Sequence, residues 1–251
     1  LKSKYKISWF EESGSLFQIQ FLIMKDKVSI MIDTSGVGLH KRGYREISAQ
    51  APIKETLAAA MVELSRVRKF HTVIDPFCGS GTILIESAMK AMNIAPGLNR
   101  TFAAQKFGVI PQNAWQQEFE KARSNIITDC EFQAFGYDID ESTLQIAREN
   151  AKKANVSGKV VFAKRDIRDF AHETEKGTVI CNPPYGERLL DVKSAEELYK
   201  VMGEKFIQKS GWSYAIISPD SEFEQIFGRK ADKRRKLYNG MIPCQVYMYF
   251  K

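Results

Sequence analysis

The chain has 251 residues, enough for one large α/β domain or one and a half with a substantial core. Lysine and arginine number 37 against 30 aspartates and glutamates, giving +7, and the excess lies in the flanks rather than the middle, which suits a polyanionic partner although proteins without one also carry modest positive charge. Cys78, Cys130, Cys181 and Cys244 form no CxxC or Cys/His cluster, which excludes a disulfide framework and a zinc site; with no signal peptide and no apolar stretch of about 18 residues, a cytosolic setting with reduced thiols, no metal and no membrane is expected.

In chain order, Lys4 to Phe10, Leu16 to Met24 and Val28 to Asp33 read as β structure, with Lys25-Asp26-Lys27 a polar turn. Leu1 is not an initiator methionine, so an upstream portion is expected, and a hairpin this small is marginal unless it packs on more chain. The stretch from Thr34 to Arg45 is glycine-rich and basic. Lys41, Arg42 and Arg45 beside Tyr44 suit an RNA phosphate backbone and a stacked base, or equally a solvated linker; His40 reads as surface or packing. Pro52 with Ile53, Leu57, Ala60, Met61 and Leu64 predicts an amphipathic helix with proline in its first turn.

His71 to Asp75 reads as the first strand of a sheet, entering Asp75-Pro76-Phe77-Cys78-Gly79-Ser80-Gly81-Thr82 and a helix from Thr82 to Met92. A carboxylate at the strand end and two glycines let a ligand approach the backbone; the dinucleotide fingerprint fails, because Leu84 stands at its third glycine. Residues 93–131 form an insertion with a helix from Asn113 to Ile127. Phe132 to Asp138 is the second strand, ending in Asp138-Ile139-Asp140; Asp138 is assigned to both ribose hydroxyls of a nucleoside, and Asp140 to the cap of a helix running to Ala154. Gly158 to Lys164 is the third strand, followed by Asp166 and Ile167, placed to accept from an adenine amino group and to donate to its ring. A lone loop aspartate often only caps a helix; three in order at three strand ends are far more specific.

Thr178 to Cys181 reads as a buried strand feeding Asn182-Pro183-Pro184-Tyr185-Gly186-Glu187-Arg188. Two prolines forbid helix and ladder there, so the backbone is stiff and extended at the carboxyl end of a strand, where open α/β sheets place ligands. The Asn182 oxygen and the Pro183 carbonyl can accept from an exocyclic NH2 group while Tyr185 stacks the base; the bland alternative is a turn with Asn182 capping and Tyr185 in the core. Arg188 suits RNA phosphate or a pair with Glu187. A helix from Ala195 to Gln208, a strand from Trp212 to Ser218 and a short helix from Glu222 to Phe227 follow. The basic run from Arg229 to Lys236, with Lys233, Arg234 and Arg235, suits a phosphate backbone or plain solvent, and Lys236 to Gly240 with Cys244 to Phe250 form a closing hairpin turned at Asn239-Gly240.

These motifs resemble a known family. Asn182-Pro183-Pro184-Tyr185 is similar to the motif of amino-group methyltransferases acting on nucleic-acid bases, and the run from Asp75 to Thr82 matches the same family's first motif. Asp33-Thr34-Ser35-Gly36, Leu39 to Arg45 and Ala51 to Ala58 look like the junction between a THUMP RNA-binding domain and its methyltransferase domain, in the 23S rRNA guanine-N2 group. The resemblance implies a Rossmann-like class I methyltransferase with a seven-stranded, mostly parallel sheet, helices on both faces and the last strand inserted antiparallel. Residues 1–38 would be a THUMP remnant and linker, and 39–251 the catalytic domain. It further implies S-adenosylmethionine as cofactor and S-adenosylhomocysteine as product, with Asp75 holding the methionine ammonium, Gly79 to Gly81 making room and the acceptor a guanine N2 in large-subunit rRNA. Alternatives are adenine N6 in DNA or RNA, a tRNA guanine, or an RNA-binding assembly factor without turnover, against which intact Asp75, Asp138, Asp166 and Asn182 argue.

Overall fold

Short runs of β-branched and aromatic residues alternate with helical patterns along most of the chain, the signature of a parallel sheet built from βα units. A computed structural model describes residues 2–9, 13–45, 52–185 and 192–250. In chain order these hold α1 (Lys2–Tyr5), β1 (Ile19–Met24), β2 (Lys27–Ile32), α2 (Glu55–Leu64), β3 (Thr72–Asp75), α3 (Thr82–Ala91), α4 (Gln112–Ser124), β4 (Gln133–Asp138) and α5 (Glu141–Lys153). There follow β5 (Val160–Lys164), β6 (Gly177–Cys181), α6 (Val192–Lys205), β7 (Trp212–Ser218), α7 (Phe223–Phe227), β8 (Lys233–Asn239) and β9 (Ile242–Tyr249).

The main sheet has seven strands in the order β5-β4-β3-β6-β7-β9-β8. Strands β3 to β7 are parallel, and β9 runs antiparallel between β7 and β8, as expected. The chain builds outward from β3 through β4 to β5, then returns to place β6 on the other side of β3. That reversal is a topological switch point, and the crevice at the carboxyl ends of β3 and β6 is where such sheets bind ligands.

Side chains alternate across each strand, so the two faces carry separate cores. Val73 and Ile180 join Leu57, Met61, Leu84, Leu144 and Ala147 from α2, α3 and α5 on one face. Ile74, Val179 and Cys181 join Tyr199, Met202, Phe223 and Phe227 from α6 and α7 on the other. All five residues of β6 are buried, as a central strand covered on both faces requires.

Several boundaries differ from expectation. Lys2–Tyr5 is a helical turn rather than the start of a strand, and Tyr5, Ile7 and Trp9 are exposed; a strand needs a partner to satisfy its backbone, and none of the described residues supplies one. Phe10 lies outside the described residues. Helix α2 starts at Glu55, beyond Pro52, because Lys54 still has an extended backbone (φ −67°, ψ 142°). The helix of the insertion stops at Ser124 and buries none of its residues. Strand β8 begins at Lys233, so part of the basic run is edge strand rather than loop. The hairpin β1–β2 pairs in register from Ile19 and Ile32 to Met24 and Lys27, and all its residues are exposed.

Candidate active site

Asp75, the last residue of β3, is 1% exposed, and its Oδ1 accepts from the Phe77 N–H at 3.0 Å. Burial pushes its carboxyl up to about 8, with the nearby Asp138 charge adding and the Phe77 N–H opposing. The turn that follows needs glycine twice. Gly79 (φ +50°) faces open space, and Gly81 (φ +82°) starts α3 with the ring of Phe162 only 2.8 Å from where a Cβ would stand. Pro76, Cys78, Ser80 and Thr82 are buried and Phe77 is half-buried; burial pushes the Cys78 thiol well up, and the Asp75 and Asp138 charges add to it.

Asp138 ends β4 beside this turn: its Oδ2 accepts from the Gly79 N–H and its Oδ1 from the Asp140 N–H, both at 3.0 Å. Each carboxylate oxygen retains acceptor capacity, which a pair of neighbouring hydroxyls matches. Ile139 beside it is exposed. Asp140 caps α5, accepting from the Ser142 N–H at 2.9 Å, the Ser142 hydroxyl at 2.7 Å and the Thr143 hydroxyl at 2.9 Å, which holds its carboxyl below the usual range. Asp166 follows β5 and caps a short 3₁₀ turn, accepting from the Arg168 N–H at 2.8 Å and pairing with the Arg168 guanidinium at 3.2 Å, while Ile167 is buried.

At the end of β6, Cys181 is fully buried, and Asn182, Pro183 and Pro184 emerge at the switch point. The Asn182 Oδ1 is buried and has no hydrogen-bond partner among the described residues. Leaving such an acceptor unmet costs about 1–3 kcal/mol, so the atom is poised for a donor from outside the chain. Tyr185 departs from expectation. It is 8% exposed within the core of the α6 and α7 face, and its hydroxyl accepts from the Asn239 Nδ2 at 2.6 Å, so the ring is packing and offers no free face to a base. Arg188, with Gly186 and Glu187, lies outside the described residues.

The expected RNA grip at residues 41–45 is also corrected. Lys41 is exposed, but Tyr44 is 1% exposed and donates its hydroxyl to Glu86 Oε1 at 2.9 Å, and Arg42 Nε lies 3.0 Å from the same oxygen as an ion pair. Arg45 donates to the Ile53 carbonyl at 2.8 Å and Thr82 Oγ1 at 3.1 Å and pairs with the buried Glu55 at 3.0 Å. These side chains fasten the segment to α2 and α3. Burial pushes Glu86 up to about 7, with Arg42 and the Tyr44 hydroxyl opposing. Arg45→Ala would strand the Glu55 carboxylate in the core. We expect a loss of about 3–5 kcal/mol in urea unfolding. Lys233, Arg234 and Arg235 remain exposed on the edge strand β8, with Arg234 3.6 Å from Glu224. A cavity of about 450 Å³ opens between α2, α3 and α4, lined in part by Arg42, Glu86, Lys90 and Lys121; it contains none of the strand-end motifs. Among the described residues no cluster suits a metal ion, and no helix is long and apolar enough to cross a membrane.

Residues 42–248 match the UPF0020 family model, described as the RMKL-like methyltransferase domain. The chain belongs to this family. It is 41% identical over 250 residues to the "Putative RNA methyltransferase YpsC" of Bacillus subtilis strain 168, covering 100% of this chain and 65% of that protein. It is 40% identical over 243 residues to the ribosomal RNA large subunit methyltransferase K/L of Shewanella pealeana, covering 93% of this chain and 34% of that protein. The crystal structure of SMU.472 complexed with SAH superposes with a TM-score of 0.88 at 42% identity, covering 95% of this chain and 63% of that one. The chain therefore spans between a third and two thirds of these proteins.

The fold is that of class I methyltransferases, and the family's cofactor is S-adenosylmethionine. The residues present fit it: among the described residues no cation pairs with the buried Asp75 carboxyl, the Gly79 turn is open, and Asp138 keeps two oxygens with capacity to accept. The residues that sequence reasoning overlooked are Arg45 as a clamp on Thr82 and Asn239 as the partner of Tyr185. The Asn239-Gly240 pair reads as a turn, and a turn signal says nothing about what the asparagine side chain reaches.

Proposed function

We propose that this chain methylates the exocyclic N2 amino group of a guanine in RNA, namely large-subunit rRNA, with residues 1–38 forming the end of a THUMP domain and its linker. The observation that carries the chemistry is the buried Asn182 Oδ1 at the switch point, without a partner among the described residues, beside the Pro183 carbonyl, which proline geometry holds in place. An aromatic amine is a poor nucleophile because its lone pair is delocalised into the ring. Two acceptors on its N–H bonds localise that lone pair out of the ring plane, so no strong base is needed. Bound S-adenosylmethionine would supply the electrophilic methyl group and leave as S-adenosylhomocysteine, and the nitrogen would shed one proton toward the acceptor side and solvent. Asp75 would hold the methionine ammonium, Asp138 the ribose hydroxyls and Asp166 with Ile167 the adenine.

The rRNA assignment is supported by the name of the Shewanella relative and by the exposed cations Lys233, Arg235 and Lys236 on β8, which present positive charge along one sheet edge. The fully exposed β1–β2 hairpin, with Phe21 at 75% and Ile30 at 75%, supports its reading as part of a larger domain. To test the function, RNA incubated with the chain and labelled S-adenosylmethionine is digested to nucleosides. Label in N2-methylguanosine supports the proposal; label only in N6-methyladenosine rejects the base.

Asp75 also sets a pH dependence. Its carboxyl sits at about 8, raised from 3.8, so it is mostly protonated in the cofactor-free protein at pH 6 to 7, whereas the ammonium requires the carboxylate. Affinity for S-adenosylmethionine should rise toward tenfold per pH unit from pH 6 to 7, and calorimetry should find this slope removed in Asp75→Asn. The sign is opposite for the free protein's stability: the folded form keeps a proton that the unfolded chain has lost, so stability falls as pH rises from about 4 to 8.

A further inference from the structure

We infer that Asn239 is a positioning residue for the catalytic tetrapeptide, acting through Tyr185; this deepens the methyltransferase reading and rests on it. Strand β9 is antiparallel to β7, and β8 is antiparallel to β9, so β8 runs in the direction of the parallel strands. Its last residue, Asn239, therefore arrives at the same end of the sheet as the carboxyl ends of β3 and β6, where Asp75 and Asn182 stand.

Asn239 is 3% exposed, and its Nδ2 donates to the Tyr185 hydroxyl at 2.6 Å across 54 residues of sequence. A short, buried bond between a turn and a motif that the turn does not adjoin in sequence is a specific tether. Gly240, at φ +68°, makes the reversal into β9 that leaves the amide at this point. The tether reaches Asn182 through a stiff linkage. Pro183 and Pro184 have fixed φ, so the orientation of Tyr185 at one end constrains the Pro183 carbonyl and Asn182 at the other. Both acceptors of the target amine thereby take their aim from a residue on the far hairpin. Tyr185 is thus locked as a strut, which accounts for a motif tyrosine that lies in the core.

The test compares the wild-type chain with Asn239→Leu, Tyr185→Phe and the double variant. We expect Asn239→Leu to lower kcat about tenfold by misaiming the acceptors, with the KM values and the S-adenosylmethionine Kd within about twofold of wild type. The double variant should be no slower than the slower single one, because both remove the same bond. Hydrogen exchange at the Asn182 and Tyr185 amides should quicken in Asn239→Leu. Wild-type kcat in Asn239→Leu, or losses that add, would overturn the inference. If the wild-type chain itself shows no turnover, the functional reading has failed instead, and unchanged exchange at Tyr185 would then overturn the tether separately. Should Asn239→Leu not fold, Tyr185→Phe removes only the hydroxyl, and wild-type kcat in that variant overturns the inference equally.

Discussion

Asn182→Ala should lower methyl transfer at least ~100-fold while the Kd for S-adenosylmethionine stays within about twofold, by analogy with the loss of a preorganised polar group that acts on the transition state. The reasoning begins from burial. The Asn182 Oδ1 is removed from solvent with no partner among the described residues, so its contribution comes when the amine arrives and not before. Removing it costs the protein little stability, since Oδ1 bonds to none of the described residues, and costs the reaction one of two acceptors on the nucleophile. Single-turnover rates beside calorimetry separate the two quantities. Near wild-type turnover would refute the assigned role, and a matching loss of cofactor affinity would move Asn182 from the amine to the cofactor.

Asp138→Ala should weaken S-adenosylmethionine binding ~100-fold or more. Hydrogen bonds to a charged group are worth about 1.5–3 kcal/mol each, and two ribose hydroxyls would lose theirs together. The same substitution frees the Gly79 N–H, so the glycine turn loosens at the point where the cofactor approaches the backbone. Asp140→Ala is the control. Among the described residues that side chain bonds to the first turn of α5, through Ser142 and Thr143, so its loss should lower the melting temperature while leaving affinity within about twofold. Equal weakening by both substitutions would show that α5, rather than the Asp138 carboxylate, carries the effect.

The fold was legible because the signals that specify it are local. Thr178 to Cys181 is short, β-rich and closed by two prolines, and Trp212 to Ser218 is apolar between polar turns, so both strands are found where expected. The inverted last strand followed from the family resemblance. Legibility failed where a residue's role depends on what the fold brings to it. Arg42, Tyr44 and Arg45 carry a phosphate-binding composition, yet Glu86 and Glu55 arrive from α3 and α2 to bury them. An amphipathic helix pattern around Glu55 and Glu86 gives no hint that those carboxylates face inward. Tyr185 likewise reads as a stacking surface until β8 delivers Asn239 to its hydroxyl. Lys4 to Phe10 has strand-like alternation, but alternation alone supplies no neighbouring strand.

The most direct measurement is single-turnover methyl transfer to a pair of otherwise identical RNAs, one with guanosine and one with inosine at the modified position. Inosine lacks only the 2-amino group. Transfer to the guanosine RNA with none to the inosine RNA is the predicted result, because Asn182 and Pro183 have no N–H bonds to accept without that amine. Equal transfer to both RNAs would contradict the account and place the methyl group on another atom.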